Sequence, residues 1–536
     1  MKYIFVSGGV ISGIGKGIAT SSIALLLKSA GYKVAPIKMD PYLNVDAGTM
    51  NPIEHGECFV LDDGTETDQD LGHYERYLGE SLSKNNIATQ GAIYLSVIQK
   101  ERNLEYDGAC VDIVTYITEE IISRIKYAGR SKNADIVVIE IGGTAGEYQN
   151  VLFLEANRQL KLKRHDDVIH VHLTYLPIPG SLGEMKSKPA QMSVRDLNAV
   201  GIQPDIILAR AERPLDQSRI KKLSISTGLE EQDIISAPDM KNVYSVPLKF
   251  EEEGLTDRIL GKLGLKRKQT DLKEWREFVQ SAEKSAKPVK IGIVGKYFTT
   301  GDFTLLDSYI SVIEAIKHAS YKLGVKPEIT WIDASKLEAN PAQLKKYDGV
   351  IVPGGFGERD VEGKIAAVKY VRENNIPYLG LCYGMQLAVV EFARNVLGLK
   401  GAHSTEVDPD TKYPVIHIMP DQAKKMLKKD YGGTMRLGAW EAELKSGSKI
   451  RALYGKDKAS ERHRHRFEVN NEYRADLEKN GFKVVGQSPD NRLVEIMELE
   501  GHPFFAGSQF HPELKSRPLE PHPMFLGFIE AASKDK

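Results

Sequence analysis

Cys382, His511 and Glu513 are the residues of this chain best equipped to open a carbonyl group. The stretch PYLGLCYGMQ, residues 377–386, sets one of only three cysteines in 536 residues between an apolar extended run and the start of a helix. Gly380 and Gly384 stand two places before and after it. A residue at such a strand-to-helix turn is expected in a strained conformation with its side chain exposed, and the glycines leave room for the turn. G-x-C-x-G is the thiol counterpart of the G-x-S-x-G nucleophile elbow. The N–H groups and partial positive charge of a helix N-terminus favour an anionic sulfur there. Taken alone, the same pattern also fits a small buried hydrophobe. A thiolate nucleophile needs a base, and the base needs an orienting group. GSQFHPE supplies both, because residues two apart in an extended chain share a side. Glu513 can then hold the imidazole while His511 faces the thiol. VPGGFGERD, a glycine-rich turn after the run DGVIV, can add backbone N–H groups for an oxyanion, with Gly355 the chosen donor beside the amide that follows Cys382.

A second group of residues suits phosphate chemistry. FVSGGVISGIGKGIATSSIALLL is a glycine-rich loop with one lysine, Lys16, between a strand and a helix, which makes a ready anion site. It departs from the Walker A pattern: five residues separate Gly9 from Gly15, and Gly17 replaces the Ser/Thr after the lysine. PIKMDPYLN places Lys38 toward the end of a second strand, carboxylates gather around Asp70 in ETDQDLGHYER, and Glu140 ends ADIVVIE. An acidic residue at the carboxyl end of a strand near a phosphate loop is where a magnesium ligand sits. A glutamate preceded by IVVI needs a cation or a partner. Lys186, Lys188 and Gln191 in GEMKSKPAQMS, with Lys221 in SRIKKLS, suit a triphosphate, although such lysines alone also fit a solvated surface.

The elements that must position these groups alternate. KYIFVSGG, KVAPIKMD, ADIVVIEIGG, DDVIHVHLTY and PDIILAR read as buried strands, and GIATSSIALLLKSAG as a helix ending at Gly31. Strand, glycine loop and helix in that order predict a doubly wound parallel sheet. The charged stretch LKRKQTDLKEWREFVQSAEKSAKP has helical spacing in its middle, and the strand VKIGIVGKY follows. The second half then repeats the alternation in DGVIVPGG, PYLGLC, MQLAVVEFARNVLG, LVEIMEL and FFAGSQFHPE. The expectation is an α/β protein of two doubly wound domains, residues 1–266 and 289–536, joined by a linker over 267–288. Such a length exceeds one core. With 41% hydrophobic and 27% charged residues the composition is that of ordinary globular chains, and a net charge of −1 argues against a chain built to coat nucleic acid. No run of 18 apolar residues predicts a membrane span, and the apolar start is too short for a signal peptide. Cys58, Cys110 and Cys382 are too scattered for a disulfide framework or zinc site, so a reducing cytoplasm is expected.

PGGFG, GLCYGMQ and FHPE, in this order, resemble the class I glutamine amidotransferases. That resemblance implies that Cys382 attacks the side-chain amide of glutamine, giving a thioester and ammonia, with His511 and Glu513 completing a triad. It implies a glutamine pocket of Gly355, Tyr383, Gly384, Met385, Gln386, Glu406 and Arg466. The motifs SGGVISGIGKG, KMDPYLNVDAGTMNP, HGECFVLDDGTETDQDLGHYER, EIGGTAGE and KSKPAQ, then GGTMRLGA and ERHRHRFEVNN, resemble the CTP synthase family over nearly the whole chain. The implied first domain is a P-loop-like amidoligase that phosphorylates the 4-oxygen of UTP with ATP and lets ammonia displace the phosphate. By position, Ser12, Gly13, Ile14, Gly15, Lys16, Gly17, Lys38 and Asp70 would serve ATP, with Pro238, Asp239 and Met240 at adenine. Asp70 and Glu140 would hold magnesium. Ser12, Lys186, Ser187, Lys188, Pro189, Ala190, Gln191 and Lys221 would hold the UTP triphosphate. Glu147, Tyr148 and Gln149 stand where the family reads the pyrimidine of the inhibitor CTP, in place of the Asp-Ile-Glu expected there. GTP is the family's activator, and Arg436 lies in the region associated with it. A cytoplasmic homotetramer, with filaments an open matter, completes what the resemblance implies.

Two stretches invite another reading. ERHRHRFEVN has the basic and aromatic mix of a nucleic-acid patch, yet near-neutral charge and the resemblance favour a pocket role for Arg466. DQAKKMLKKD fits a solvated helix face or mobile loop. Another glutamine-dependent ligase, or a nucleotide-regulated scaffold without catalysis, is the alternative class. KSKPAQ argues against the first and the intact Cys-His-Glu set against the second.

Overall fold

Runs such as YIFV and IVVIEI are apolar at nearly every position, the pattern of strands buried on both faces of a parallel sheet. In the computed structural model they become that. Residues 1–180, 183–295, 299–300, 303–304, 306–355, 357, 360–419, 422 and 433–534 are described. The chain forms two compact units, one of Met1–Asp46 and His73–Val279, the other of Ala47–Gly72 and Gln280–Lys536.

The first unit is built on strands β1 (Lys2–Gly8), β2 (Val34–Asp40), β3 (Ile87–Thr89), β4 (Ile136–Ile141), β5 (Val168–Tyr175), β6 (Ile206–Ala211) and β7 (Ile234–Pro238). They form one sheet in the order β3-β2-β4-β1-β5-β6-β7, every pairing parallel. Helices α1 (Lys16–Ser29), α2 (Val151–Lys163), α3 (Lys188–Ala199) and α4 (Gln217–Thr227) belong to its crossovers. The order reverses beside β1, so the loop after β1 opens at the switch point, where α/β sheets bind ligands. Helix α1 starts on Gly15 in the left-handed region (φ 93°) and is followed by Gly31, also left-handed, as its spacing predicts. The helix Lys273–Lys284 is anchored by Trp275, whose indole N–H donates to the Tyr244 carbonyl at 2.8 Å.

The second unit carries β8 (Lys287–Gly295), β9 (Val325–Asp333), β10 (Gly349–Val352), β11 (Tyr378–Leu381), β12 (Arg436–Leu444), β13 (Lys458–His465), β14 (Phe482–Gln487), β15 (Val494–Leu499) and β16 (Phe505–Ser508). Their order is β9-β8-β10-β11-β16-β15-β14-β12-β13. The half from β9 to β16 is parallel, and β15, β14, β12 and β13 extend it antiparallel. The α/β class therefore holds in both units; of the four antiparallel strands, β15 is the run LVEIMEL of the alternation, and β12, β13 and β14 were not announced by it. Helix α5 (Tyr383–Asn395) leaves the end of β11 and packs into the core. A hairpin from early in the chain also belongs to this unit: Phe59–Val60 pairs antiparallel with Glu66–Thr67, and Asp62 accepts from the backbone N–H of Ala439 at 2.9 Å. Among the described residues no helix is long and apolar enough to cross a membrane. The stretch DQAKKMLKKD, apart from Gln422, lies outside the described residues, as do Phe356 and Gly432 of two quoted motifs.

Candidate active sites

Cys382 stands between β11 and α5 with φ 48° and ψ −97°, a conformation that L-residues rarely adopt and that costs of order 1–3 kcal/mol. The turn is held from both sides. The Cys382 N–H donates to the Ser508 carbonyl on β16 at 2.7 Å, and a Cβ on Gly384 would lie 2.0 Å from the Val352 carbonyl oxygen. A Cβ on Gly380 would lie 2.8 Å from the Gly384 backbone. Here glycine is required by close approach of backbone to backbone. The expectation of an exposed thiol is corrected: Cys382 is only 3% exposed, and it lines a cavity of about 810 Å³. Gly354, Gly355, Glu406, Arg466, His511 and Glu513 share that cavity.

The His511 Nδ1 lies 2.7 Å from Glu513 Oε1. The two-residue spacing works through a turn, since Glu513 sits in the 3₁₀ segment Pro512–Lys515 and not in an extended strand as the sequence suggested. With Nδ1 committed to Glu513, His511 turns its buried Nε2 to the cavity it shares with Cys382. Burial alone would lower the imidazole pKa, but the negative charges of Glu513 and of the Cys382 sulfur outweigh it and raise it to about 10. A raised pKa means that the pair stabilises the fold fully below the ordinary value near 6.5 and loses that contribution as pH climbs through about 10. Glu513→Gln removes the main partner charge, so the alkaline limb of any activity that needs His511 protonated is expected to move toward neutral pH. A pH profile of kcat/KM checks this, and an unmoved limb would exclude Glu513 as the controlling charge.

The backbone around the thiol is equally fixed. Tyr383 is the first residue of α5, so its N–H has no acceptor within the helix, and its ring lies 3.9 Å from where a Gly355 Cβ would be. The Tyr383 hydroxyl donates to the Gly357 carbonyl at 3.0 Å, while the Gly357 N–H donates to Glu406 Oε1 at 2.8 Å, which pins the glycine-rich turn. A Cβ on Gly354 would stand 2.8 Å from His511 Cε1, so that glycine makes room for the imidazole. Arg466 donates to Gln422 Oε1 at 2.6 Å and to Thr434 Oγ1 at 3.0 Å. Gln386 and Met385 lie behind the cavity: Gln386 donates to the Phe467 carbonyl at 2.9 Å and Met385 is in the core. Gly384 packs on Val352. Residues that the sequence reading passed over complete the wall. Gln509 donates to the Cys382 sulfur at 3.6 Å, and Gly48, Thr49, Met50, Glu57 and Cys58 come from the segment carrying the hairpin. Cys58 is no second nucleophile, since burial raises its thiol to about 12. Arg464, also on the wall, binds Glu66 at 2.8 Å and the Gly48 carbonyl at 3.2 Å.

Arg436 lies elsewhere. Its guanidinium donates to Glu495 Oε1 at 2.7 Å, and His463 Nε2 is 2.8 Å from Glu495 Oε2. Burial opposes the charge of Glu495, yet His463 and Arg436 hold it well below the usual carboxylate range. ERHRHRF is thus largely an interior strand, with Arg462 fully buried and 2.6 Å from Asp62.

In the first unit the glycine loop turns through left-handed Val10 (φ 78°), Gly13 (φ 69°) and Gly15 (φ 93°), and Ser12 is exposed on it while Ile14 packs inward. Gly17 lies in the first turn of α1. That helix has no side-chain cap and no acidic residue in its first turn, so its N–H groups face the loop unshielded. Lys16 is nearly buried and donates to the Gly143 carbonyl at 2.7 Å. Lys38 pairs with Glu140 at 2.8 Å, and the Tyr74 hydroxyl donates to the other Glu140 oxygen at 2.5 Å. This buried carboxylate is a hard oxygen donor of the kind magnesium takes. Among the described residues no group of three or more His, Cys, Asp or Glu is arranged to hold a metal ion by itself. Asp70, in the first turn of the helix Gln69–Leu78, falls in the second unit.

Pro238 and Met240 line a small pocket of about 90 Å³ with Gly15, Ile18 and Phe250, next to the loop. Asp239 pairs with Arg210, which also donates to the Ile14 carbonyl at 2.8 Å. Ser187, Lys188, Pro189, Ala190 and Gln191 start α3, with Gln191 donating to Ser187 Oγ at 3.2 Å. Lys186 is tied to Glu184 at 2.7 Å, and Glu184 also binds Arg219 on α4, the helix that bears the exposed Lys221. Glu147 accepts from Thr144 at 2.9 Å and from Gln149 at 2.7 Å, and Tyr148 is almost wholly exposed.

A strained thiol beside an imidazole and carboxylate, on an α/β unit, is the arrangement of a glutamine amidotransferase. Residues 304–531 match the glutamine amidotransferase class-I family, and residues 2–265 match the family described as CTP synthase N-terminus. The CTP synthase of Thermococcus kodakarensis is 51% identical over 538 residues, covering 100% of this chain and 99% of that protein. That of Bacillus subtilis is 48% identical over 534 residues, covering 99% and 98%. The glutaminase domain of Trypanosoma brucei CTPS with bound acivicin is 38% identical and covers 46% of this chain and 95% of that one, with a TM-score of 0.43. The chain belongs to the CTP synthase family.

Proposed function

We propose that this chain converts UTP to CTP with ATP and with ammonia released from glutamine, and that the two sites divide the work. Cys382 attacks the glutamine carboxamide carbon, and the N–H groups of Gly355 and Tyr383 receive the oxyanion. His511, kept protonated by Glu513, delivers its proton to the departing nitrogen, so ammonia leaves and a thioester remains for water to cleave. Arg466 suits the substrate carboxylate, because its fork binds both oxygens. Glu406 and Gln386 shape that pocket by fixing the turns around it.

In the other site the glycine loop and Lys16 cradle the ATP phosphates, with adenine in the pocket of Pro238 and Met240. Phosphoryl transfer to the uracil 4-oxygen turns it into a leaving group that ammonia displaces at C4, giving CTP, ADP and phosphate. Lys38 offsets charge on the transferring group, and Glu140 with Asp70 would hold magnesium, which would supply positive charge to neutralise the phosphates. Lys186 to Gln191, with Ser12 and Lys221, take the UTP triphosphate, and Glu147 to Gln149 take the pyrimidine of CTP as feedback inhibitor. GTP activates glutamine hydrolysis in this reading. Arg436 acts there through β12, since its side chain is committed to Glu495. The reading extends to domains of 1–266 and 289–536 with a linker between, a homotetramer and a cytoplasmic location.

The observation that supports it most is a strained cysteine, φ 48°, in one cavity with His511 and Glu513. The test is to incubate the protein with UTP, ATP and magnesium, plus ammonia or glutamine, and to follow CTP. Absence of CTP with either nitrogen source, from a folded protein, overturns the proposal.

A further inference from the structure

Two histidines of β5 play no part in the chemistry above, yet both are buried and both are fully engaged. Asn157 Nδ2 on α2 lies 2.5 Å from His170 Nδ1. His170 Nε2 lies 2.7 Å from Ser7 Oγ at the end of β1, and Ser7 Oγ lies 2.8 Å from His172 Nδ1. His172 Nε2 lies 2.6 Å from Ser193 Oγ on α3. All five side chains are at most 3% exposed. With the Asn157 amide as donor, the protons can run only one way: Asn157 to His170, His170 to Ser7, Ser7 to His172, His172 to Ser193. Each imidazole then carries one proton. Burial agrees, for it holds His170 well below the ordinary histidine range and, with the Lys16 charge added, His172 at about 3.

The chain of bonds ends where two substrate-facing elements meet. A Cβ on Gly9 would lie 1.7 Å from Ser193 Oγ and 3.1 Å from His172 Nε2, so the glycine loop rests directly on this pair. Ser193 lies five residues into α3, the helix whose first residues are Lys188 and Pro189. A neutral, buried hydrogen bond of this kind has one geometry and no solvent to replace it.

We infer that His172 and Ser193 are positioning residues that fix the start of α3, and with it the UTP triphosphate contacts, against the loop that holds ATP. The inference rests on the function proposed above. A fixed distance between the two triphosphates matters because phosphoryl transfer depends on alignment, and small misplacements cost large factors in rate.

Ser193→Ala removes the terminal hydroxyl without adding bulk, and Ser7→Ala cuts the chain one bond earlier. With ammonia as nitrogen source, both are expected to raise KM for UTP by about tenfold or more while KM for ammonia stays unchanged. Glutamine hydrolysis without nucleotides should be unaffected, and the double variant should cost no more than the worse single one, as for residues acting as one unit. An unchanged KM for UTP in a folded variant overturns the inference, and so does an equal loss in glutamine hydrolysis, which would mark a general structural defect. Failure of the wild-type protein to make CTP at all would instead sink the function itself.

Discussion

Replacing Cys382 with alanine is expected to abolish CTP formation from glutamine and to leave formation from free ammonia close to wild type. The reason is geometric. Among the described residues the thiol is the nucleophile that a strained turn places on the cavity wall shared with His511, and burial pushes the Cys58 thiol on the same wall up to about 12. Loss of a covalent nucleophile that acts as a unit with its base costs on the order of 10⁴-fold or more. Alanine fits the turn as well or as badly as cysteine does, so the fold is not at issue. Steady-state assays with each nitrogen source separate the half-reactions. If ammonia-supported synthesis died as well in a folded protein, the division of labour between the two sites would be wrong.

The second large effect belongs to Lys16. Lys16→Ala should remove synthesis from both glutamine and ammonia, because it strips the buried cation from the loop proposed above to receive ATP. The loss of one preorganised electrostatic contact to a developing charge is about 10²–10³-fold. Glutamine hydrolysis in the absence of nucleotides should persist, since Cys382 and His511 lie in the other unit. A variant that still made CTP from ammonia at the normal rate would remove the glycine loop from the ATP site. The two variants together form a cross: one loses a single nitrogen source, the other loses the product.

How far the sequence carried this depends on the distance over which each signal acts. The elbow at Cys382, the loop before α1 and the strand ending in Glu140 were legible because each is written in a short stretch where backbone pattern and chemistry coincide. The His511–Glu513 pair was legible as a pair but not as a turn, because the Pro512 3₁₀ segment leaves no periodic trace. Strands β12 and β13 were hidden by their own polarity. Arg436, Arg462 and His463 look solvated on paper, and only the buried carboxylate of Glu495 and the partner Asp62 make them interior. The role of Glu57 on the cavity wall was illegible for a different reason: its partner Ser311, whose N–H it accepts at 2.8 Å, lies more than 250 residues away.

That hairpin has a consequence for anyone who would divide or recombine the gene. Asp62 and Glu66 are the counter-charges of Arg462 and Arg464, which sit some 400 positions downstream. A C-terminal fragment begun after residue 279 would strip two desolvated guanidinium groups of these carboxylate partners and would leave one face of the thiol chamber missing. Chimeras between relatives should therefore inherit residues 47–72 from the same parent as the C-terminal half, because the seam that evolution must respect here runs across the polypeptide and not along it.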